Sequence, residues 1–540
     1  MKYIIKIGIV LTFLTILCNC SKLDVFPEGG MVTGDQNKEI LEVLPERASA
    51  MVAGMYGIMG QQKSVFGGGR GRDDDFGYPG VCLSQDLNGP DMTCIDDGFN
   101  WFQVSGDYSD RTENYANPYI RYALFYKQIA AANNLIGSID ENTENEILKI
   151  YRAQAQAVRA FDYLCLIPYY QFKYKGNEDK LSVPIMTETM NAQNPRMPLK
   201  DVMELVMKDL DYAIEKLDSF KRKSKGEIDQ NVAYGLRARA NLYMENWKEA
   251  AEDADKALQG YKPYSRSEIS KPGFIDANDN NWMWAILIGP DKVPQAFPSW
   301  PAKLSSFTGN GYTGGTGCYK DINRILFDLI PSTDVRKGWW VDANLRSPNL
   351  ENVEWNGVKG NAIASLVIDG IKVAFHPYTN VKFGQYGGPG STTNAGDWCI
   401  MRAEEMILIK AEGLAMSGGD GKTVLENFVK TYRDSMYVCT PTIGTALQDE
   451  IWKQRRIELW GEGFAMSDIM RLNKNVVRVV QGKPTNLDRT YRFNIASDDQ
   501  WLLLRFPLQE INSNPDVEQN TGSNRPLEGD GIGLKDGITD

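Results

Sequence analysis

Glu458 and Glu462 are the two carboxylates whose spacing could do chemistry. Four positions apart on a helix, their side chains would neighbour each other at about 5–6 Å. A retaining glycosidase holds its carboxyl groups about 5–5.5 Å apart. Catalytic carboxylates, however, must flank a bound sugar, which adjacent turns of one helix do poorly. Arg455, Arg456, Asp468 and Arg471 stand nearby. They would keep both groups ionised, whereas a general acid needs a raised pKa. The cluster therefore reads as a structural ion-pair network, and no catalytic residue is assigned. The chain has one histidine, His376, followed by Pro377. It cannot make a His-based zinc site, and a Ser-His-Asp arrangement would rest on it alone; it reads as a loop histidine. Gly387-Gly388-Pro389-Gly390-Ser391 lacks the Gly-Lys-Ser/Thr of a phosphate loop. Asp73-Asp74-Asp75, after the glycine-rich run 67–72, lacks the alternating ligand spacing of a calcium loop and reads as solvated. No metal and no cofactor are expected.

What remains is aromatic side chains in loops. A sugar packs its C–H faces on flat rings, while its hydroxyls need a few placed polar groups. Trp300, Tyr312, Trp339 and Trp340 lie in an irregular middle stretch. Trp101 and Phe102 follow Asp96, Asp97 and Asn100, and Asp86 and Asn88 are taken to lie in another early loop. The candidate ligand-binding set is therefore Trp101, Asp86, Asn88, Trp300, Tyr312, Trp339 and Trp340. Core packing competes with this for every tryptophan, because large aromatics are mostly buried. It fits best for Trp282 and Trp284, which share a strand face with Ile286 and Ile288.

The elements that must hold these residues are mostly helices. Ala48 to Met59 carries apolar residues at helical spacing. Asn117-Pro118 opens a second helix, with Tyr122, Phe125, Tyr126, Ile129 and Ala132 on its period, and Asn145 to Leu166 continues the pattern. Pro198 sits in the first turn of a helix to Leu217. Asp229 to Leu258 reads as two helices broken near Glu245-Asn246, with alanines spaced as in the second half of a tetratricopeptide repeat. From about residue 260 to 397 helical periodicity fades. Asn281–Ile288 and Val367–Phe375 are predicted strands in long loops. Helices return at Trp398, one ending at Gly418-Gly419, another running through Leu447, Ile451, Trp452 and Leu459.

Lys2 and Lys6, an apolar run from Ile7 to Leu17, and Cys18-Asn19-Cys20-Ser21 form the start of the chain. That run is too short to span a bilayer, which takes about 18 residues or more. It reads as a secretory signal ending in a lipoprotein cysteine, with Cys20 acylated rather than Cys18, before which bulky Leu17 would sit; plain secretion is the alternative. The net charge of -11 speaks against a nucleic-acid partner. Six further cysteines are scattered with no CxxC pair; Cys82 with Cys94 is a conceivable local disulfide, and simple buried thiols are the alternative.

Five segments, in order, resemble the SusD/RagB family of surface nutrient-binding lipoproteins of Bacteroidetes. They are CSKLDVFPEG from Cys20, RMPLKDVMELVMKDLDYAIEKL from Arg196, MRAEEMILIKAEGLAMSGG from Met401, IWKQRRIELWGEGFAMSDIMR from Ile451 and FPLQEINSNPDVEQNTG from Phe506. Gln454 and Ala465 depart from the family's usual Glu and Arg, which questions one ionic network in the scaffold.

The resemblance implies a mainly α fold, in which tetratricopeptide-like helix pairs form a scaffold packed against an irregular, loop-rich region with a few short strands. It implies a signal peptide over 1–19 and one SusD-like domain over 20–540. Within that domain, 21–259 would be helical, 260–397 an irregular ligand-binding insertion, and 398–540 the C-terminal helices and signature tail. It implies a protein lipid-anchored in the outer membrane, partnered with a SusC-like TonB-dependent transporter barrel, which captures a glycan without chemistry on it. A peptide ligand within the family, a lipoprotein glycoside hydrolase and a protein-binding tetratricopeptide scaffold are the competing readings. For the tail after Gly522 the resemblance offers no role.

Overall fold

Asn145 accepts hydrogen bonds from the backbone N–H groups of Ile147 and Leu148 and so caps a 25-residue helix, Glu146–Tyr170. Such a cap is worth about 1 kcal/mol. This helix is the axis of the computed structural model, which describes residues 34–66, 71–95, 101–187, 194–355, 358–359 and 373–535. The signal segment, Cys18, Cys20, the glycine run at 67–70, Asp96, Asp97, Asn100 and most of the strand expected from Val367 lie outside the described residues.

The main helices are α1 (Gly34–Val43), α2 (Ala48–Gly57), α3 (Tyr78–Asn88), α4 (Ala116–Ser138), α5 (Glu146–Tyr170), α6 (Leu199–Lys216), α7 (Gln230–Tyr243) and α8 (Trp247–Ala257). A short α9 (Trp300–Leu304) precedes α10 (Ala403–Ser417), α11 (Gly421–Tyr432), α12 (Gly444–Glu458) and α13 (Ala465–Leu472). Neighbours in sequence pack as antiparallel layers: α4 on α5, α5 on α6, α6 on α7, α7 on α8. The stack continues across the long insertion, because α8 packs on α10 and α10 on α11 and α12. Gly413 permits that junction: a Cβ there would meet the Trp247 carbonyl oxygen at 2.4 Å. This is the mainly α, helix-pair scaffold expected. The break at Glu245 is a residue in the left-handed region, φ 62°. Gly418, φ 83°, ends α10.

Two short strands tie off the irregular span. After a small pair formed by β2 (Leu181–Pro184) and β3 (Arg196–Pro198), β4 (Trp282–Ile286) pairs antiparallel with β6 (Trp398–Arg402), bringing the two ends of that span together. Helix therefore does not begin at Trp398, as the sequence reading had it, but at Ala403. β4 is buried along its whole length, so Met283 and Ala285 are as enclosed as Trp282 and Trp284. Trp284 packs on Phe161 of α5, the Ala285 N–H donates to the Lys225 carbonyl, and Ile286 lies against Gly60, so helices and the loop before α7 enclose the strand. β1 (Met92–Cys94) pairs with β5 (Lys320–Ile322), pinning the insertion to the early chain. Cys82 and Cys94 are buried thiols, and Cys94 Sγ lies 3.5 Å from the Tyr491 hydroxyl. The tail after Gly522 runs back along the C-terminal loops. Asn494 N–H donates to the Asp530 carbonyl, Asn475 to that of Lys535, and Arg525 pairs with Asp107 at 3.0 Å.

Candidate aromatic binding face

Tyr312 is held by its own backbone. Its N–H donates to the Ala302 carbonyl at 2.8 Å, and Gly311 lies so close to α9 that a Cβ would sit 2.7 Å from Ala302 Cα. Opposite, Phe102 is buried against Phe76 in an edge-on contact of 5.8 Å and fixes the preceding residue, Trp101. The two half-buried rings meet in a polar relay. Trp101 Nε1 donates to Tyr312 Oη at 2.8 Å, and that hydroxyl donates to Asp73 Oδ2 at 2.6 Å. Burial, then the Asp73 bond, pushes the Tyr312 pKa up to about 12, so it remains a hydroxyl donor at neutral pH. Phe297, 45% exposed, stands edge-on to Tyr312 at 5.6 Å.

Basic side chains lie against both rings. The Arg72 guanidinium lies 4.9 Å from the Trp101 ring centre, locked there by two 2.8 Å bonds to Asp74. Lys303 Nζ sits 3.2 Å from the Tyr312 ring centre. It is buried, and no described residue accepts a hydrogen bond from its amine. Burial, with Lys320 nearby, lowers its pKa well below the usual lysine range. The polar edges of the rings are thus spent on one another, and what the cluster offers outward is aromatic surface with Arg72 at its border. Asp73-Asp74-Asp75 is not a solvated run. Each carboxylate has its own partner: Tyr312, Arg72, and the N–H groups of Val65 and Phe66.

The structure brings Trp101 and Tyr312 together and sends the rest of the sequence-derived set elsewhere. Trp300 is buried; its Nε1 donates to the Gly396 carbonyl at 2.8 Å, and it packs on Trp398 and Phe383, anchoring α9. Trp339 donates to the Ile269 carbonyl at 3.0 Å and lies 4.5 Å from Lys382 Nζ. Trp340 packs edge-on against Trp460 at 5.4 Å. All three are core residues, so none presents a face to a ligand. Asp86 and Asn88 are not in a loop: they belong to α3, bracketed by Gly77 and Gly89. Asp86 accepts from the N–H groups of Gly463 and Ala465, and its burial pushes its pKa up to about 7. Asn88 donates to the Ser105 carbonyl and accepts from Arg111 and Arg121. Both clamp segments. The sequence reading missed Arg72, Asp73 as a site residue, Phe297 and Lys303. Only Asp73, inside its acidic run, carried any local signal.

The carboxylate pair is a buried ion network, as expected, but with other partners. Glu458 ends α12 while Glu462 lies beyond it, between Gly461 and Gly463 at φ 82° and 89°. They do not share a helix face. Glu458 is held by Arg336, Arg402 and Arg433, and Glu462 by Arg402 and Lys382. Arg433 and Arg402 hold the Glu458 carboxyl well below the usual range, and Arg402 with Lys382 depresses Glu462. Arg455 and Arg471 instead pair with Asp468, and Arg456 with Asp91. Gln454 replaces a charge with an amide that accepts from Arg336 at 2.5 Å. Ala465 fits against Gly89, where a Cβ would stand 2.6 Å from its own. His376 is paired with Asp321 at 3.2 Å, and its ring lies 3.4 Å from the Thr379 hydroxyl.

A larger open groove, about 710 Å³, lies between α2 and the 285–288 strand end. Several of its polar side chains are committed. Gln62 exchanges bonds with the backbone of Gln295, Lys292 donates to Leu287, and Tyr56 donates to Gln154. The aromatic face is the better candidate because its rings stand partly open.

Comparison with known proteins gives a consistent picture. A SusD family model matches residues 369–522, and a model described as starch-binding, associating with outer membrane, matches residues 87–242. A SusD-like protein of Formosa agariphila is 22% identical over 397 residues, spanning 68% of this chain and 74% of its own. A SusD-like carbohydrate-binding protein from Bacteroides vulgatus shares the fold with a TM-score of 0.70 at 22% identity, covering 89% of this chain and 98% of that one. A laminarin-binding SusD-like protein superposes with a TM-score of 0.58 at 17% identity, covering 88% and 99%. Residues 243–368, which carry Phe297, Lys303 and Tyr312, fall between the two matched family segments.

Proposed function

The chain belongs to the SusD family, and from that premise we propose that it captures a glycan on the Trp101–Tyr312 face and hands it to a TonB-dependent outer-membrane transporter barrel. It stands at the cell surface on a lipid attached to Cys20. The observation that carries the reading is the relay from Trp101 through Tyr312 to Asp73. It orients two rings while using up their polar edges; Arg72 covers one face of Trp101 and Lys303 one face of Tyr312, so the opposite faces are the ones left for the C–H surface of a sugar. Arg72 borders Trp101 and supplies a donor for hydroxyls. The laminarin-binding and carbohydrate-binding neighbours support a glycan in particular.

The protein binds its ligand without cleaving it. In support, Glu458 and Glu462 are spent on arginines and a lysine and held ionised, the opposite of a general acid's state. No described helix is long and apolar enough to cross a membrane, which suits a protein held by a lipid.

Titration of the mature protein with neutral oligosaccharides, acidic oligosaccharides and peptides tests the ligand class. A neutral glycan should bind and leave no hydrolysis products. Binding of peptides alone would replace the glycan reading. Gentle detergent extraction from native membranes should co-purify a barrel protein, and recovery as a lone monomer would remove the transporter partner.

A further inference from the structure

We infer that the helical scaffold holds a second pocket, separate from the aromatic face, shaped for a small neutral polyol of about monosaccharide size. A cavity of about 100 Å³ lies where α3, α5, α7, α10, α12 and α13 meet. One water needs about 15 Å³ of such space, so the cavity takes roughly six waters or one compact ligand. The rings of Tyr78, Phe161 and Phe464 form its walls.

Two of its lining side chains have unmet polar atoms. Gln85 Oε1 and Arg455 Nη1 are buried and make no hydrogen bond of normal geometry among the described residues; the Gln85 side chain lies beside the Tyr169 hydroxyl, which is unmet as well. The side chains that bear them are 6% and 3% exposed. Buried polar atoms are nearly always satisfied. One here is an acceptor and the other a donor. A hydroxyl serves both, since it donates and accepts.

The charges around the cavity cancel among themselves. Arg239 makes two 2.7 Å bonds to Glu405. Arg455 and Arg471 each bond Asp468 at 2.8 Å, and Arg471 also bonds Glu412. No net charge is left to recruit an ion, so the ligand is neutral. Flat rings, one donor and one acceptor suit a polyol better than a hydrocarbon, which would leave both polar atoms unmet. The cavity shares no lining residue with the Trp101–Tyr312 cluster, so the two sites can fail or succeed independently.

Cys165 lines the cavity and is only half-buried, whereas the other described cysteines are buried. Burial pushes the Cys165 thiol well above the usual range, so a small methanethiosulfonate reagent should modify Cys165 slowly and at alkaline pH in the mature protein, and Cys165→Ser should remove that reaction. Glucose, xylose or glycerol at millimolar concentration should slow it at least fivefold. Saturation-transfer NMR on the same sugars gives a second reading. The signal should appear with wild type, persist in Cys165→Ser, and fall at least fivefold in Gln85→Leu and in Ser467→Trp, which fills the cavity. A signal untouched by Gln85→Leu and Ser467→Trp but lost in Trp101→Ala would assign the sugar to the aromatic face and overturn the second pocket. Absence of both protection and signal for all three probes would overturn it as well.

Discussion

Trp101 Nε1 donates to Tyr312 Oη at 2.8 Å across 211 positions of chain. The bond joins an early loop to the insertion and makes one face from two distant segments. A basic side chain lies over one face of each ring, Arg72 over Trp101 and Lys303 over Tyr312.

Truncating the outer ring should separate binding from stability. Trp101→Ala is expected to weaken glycan binding about tenfold, roughly 1.4 kcal/mol. Its melting temperature should stay close to wild type, because the ring is only half-buried. Tyr312→Phe keeps the ring but breaks the relay and should cost less affinity than Trp101→Ala. Calorimetric titration in low and high salt checks both. The loss should change little with salt, since the rings carry no charge.

The buried tryptophans should behave in the opposite way. Trp300→Ala and Trp340→Ala each remove a fully enclosed ring and are expected to cost about 3–5 kcal/mol of stability. Denaturant unfolding reads this directly. A variant as stable as wild type but unable to bind glycan would restore these residues to the ligand site.

Glu458 is the hub of the ion network, and its folded pKa lies below that of an unfolded glutamate. A carboxylate of this kind stabilises the fold above the unfolded pKa, about 4.3, and the stabilisation is lost as pH falls through the folded value. Glu458→Gln leaves Arg336, Arg402 and Arg433 short of a charge and should cost about 3–5 kcal/mol at pH 7. It should also flatten the acid side of the stability profile below about pH 4.3. Unfolding midpoints from pH 3 to 8 would show it.

Asp86 titrates with the opposite sign. Burial raises its folded pKa to about 7, above the unfolded value of about 3.9. Its contribution is therefore fully present below the unfolded pKa and disappears as pH rises through the folded one. Asp86→Asn should remove the fall in stability between about pH 4 and 7. An unchanged slope across that window would place the titration on another group.

Lipid attachment is tested by metabolic labelling with a fatty-acid probe. Wild type should be marked and Cys20→Ala should not. Label persisting in that variant would move the attachment to Cys18 or remove it.

The sequence by itself determined the helical scaffold and the family. Apolar period, the Asn145 cap, the break before Trp247 and the glycines after Ser417 are local signals, and each acts through bonds made within a few residues. Local reading also recognised that Glu458 and Glu462 belong to an ion network, because arginines are dense around them. It could not name their partners, since Arg336, Arg402 and Lys382 arrive from 56 to 122 positions away. The same limit sorted the aromatic residues. Trp300, Trp340 and Trp101 all sit in glycine-rich, irregular stretches and look alike in sequence. The pairing of β4 with β6 folds the insertion onto the scaffold, so Trp300 meets Trp398 and Trp340 meets Trp460, while Trp101 stays at the edge. Whether a ring becomes core or binding face depends on what reaches it from far along the chain, and only the tertiary structure decided that.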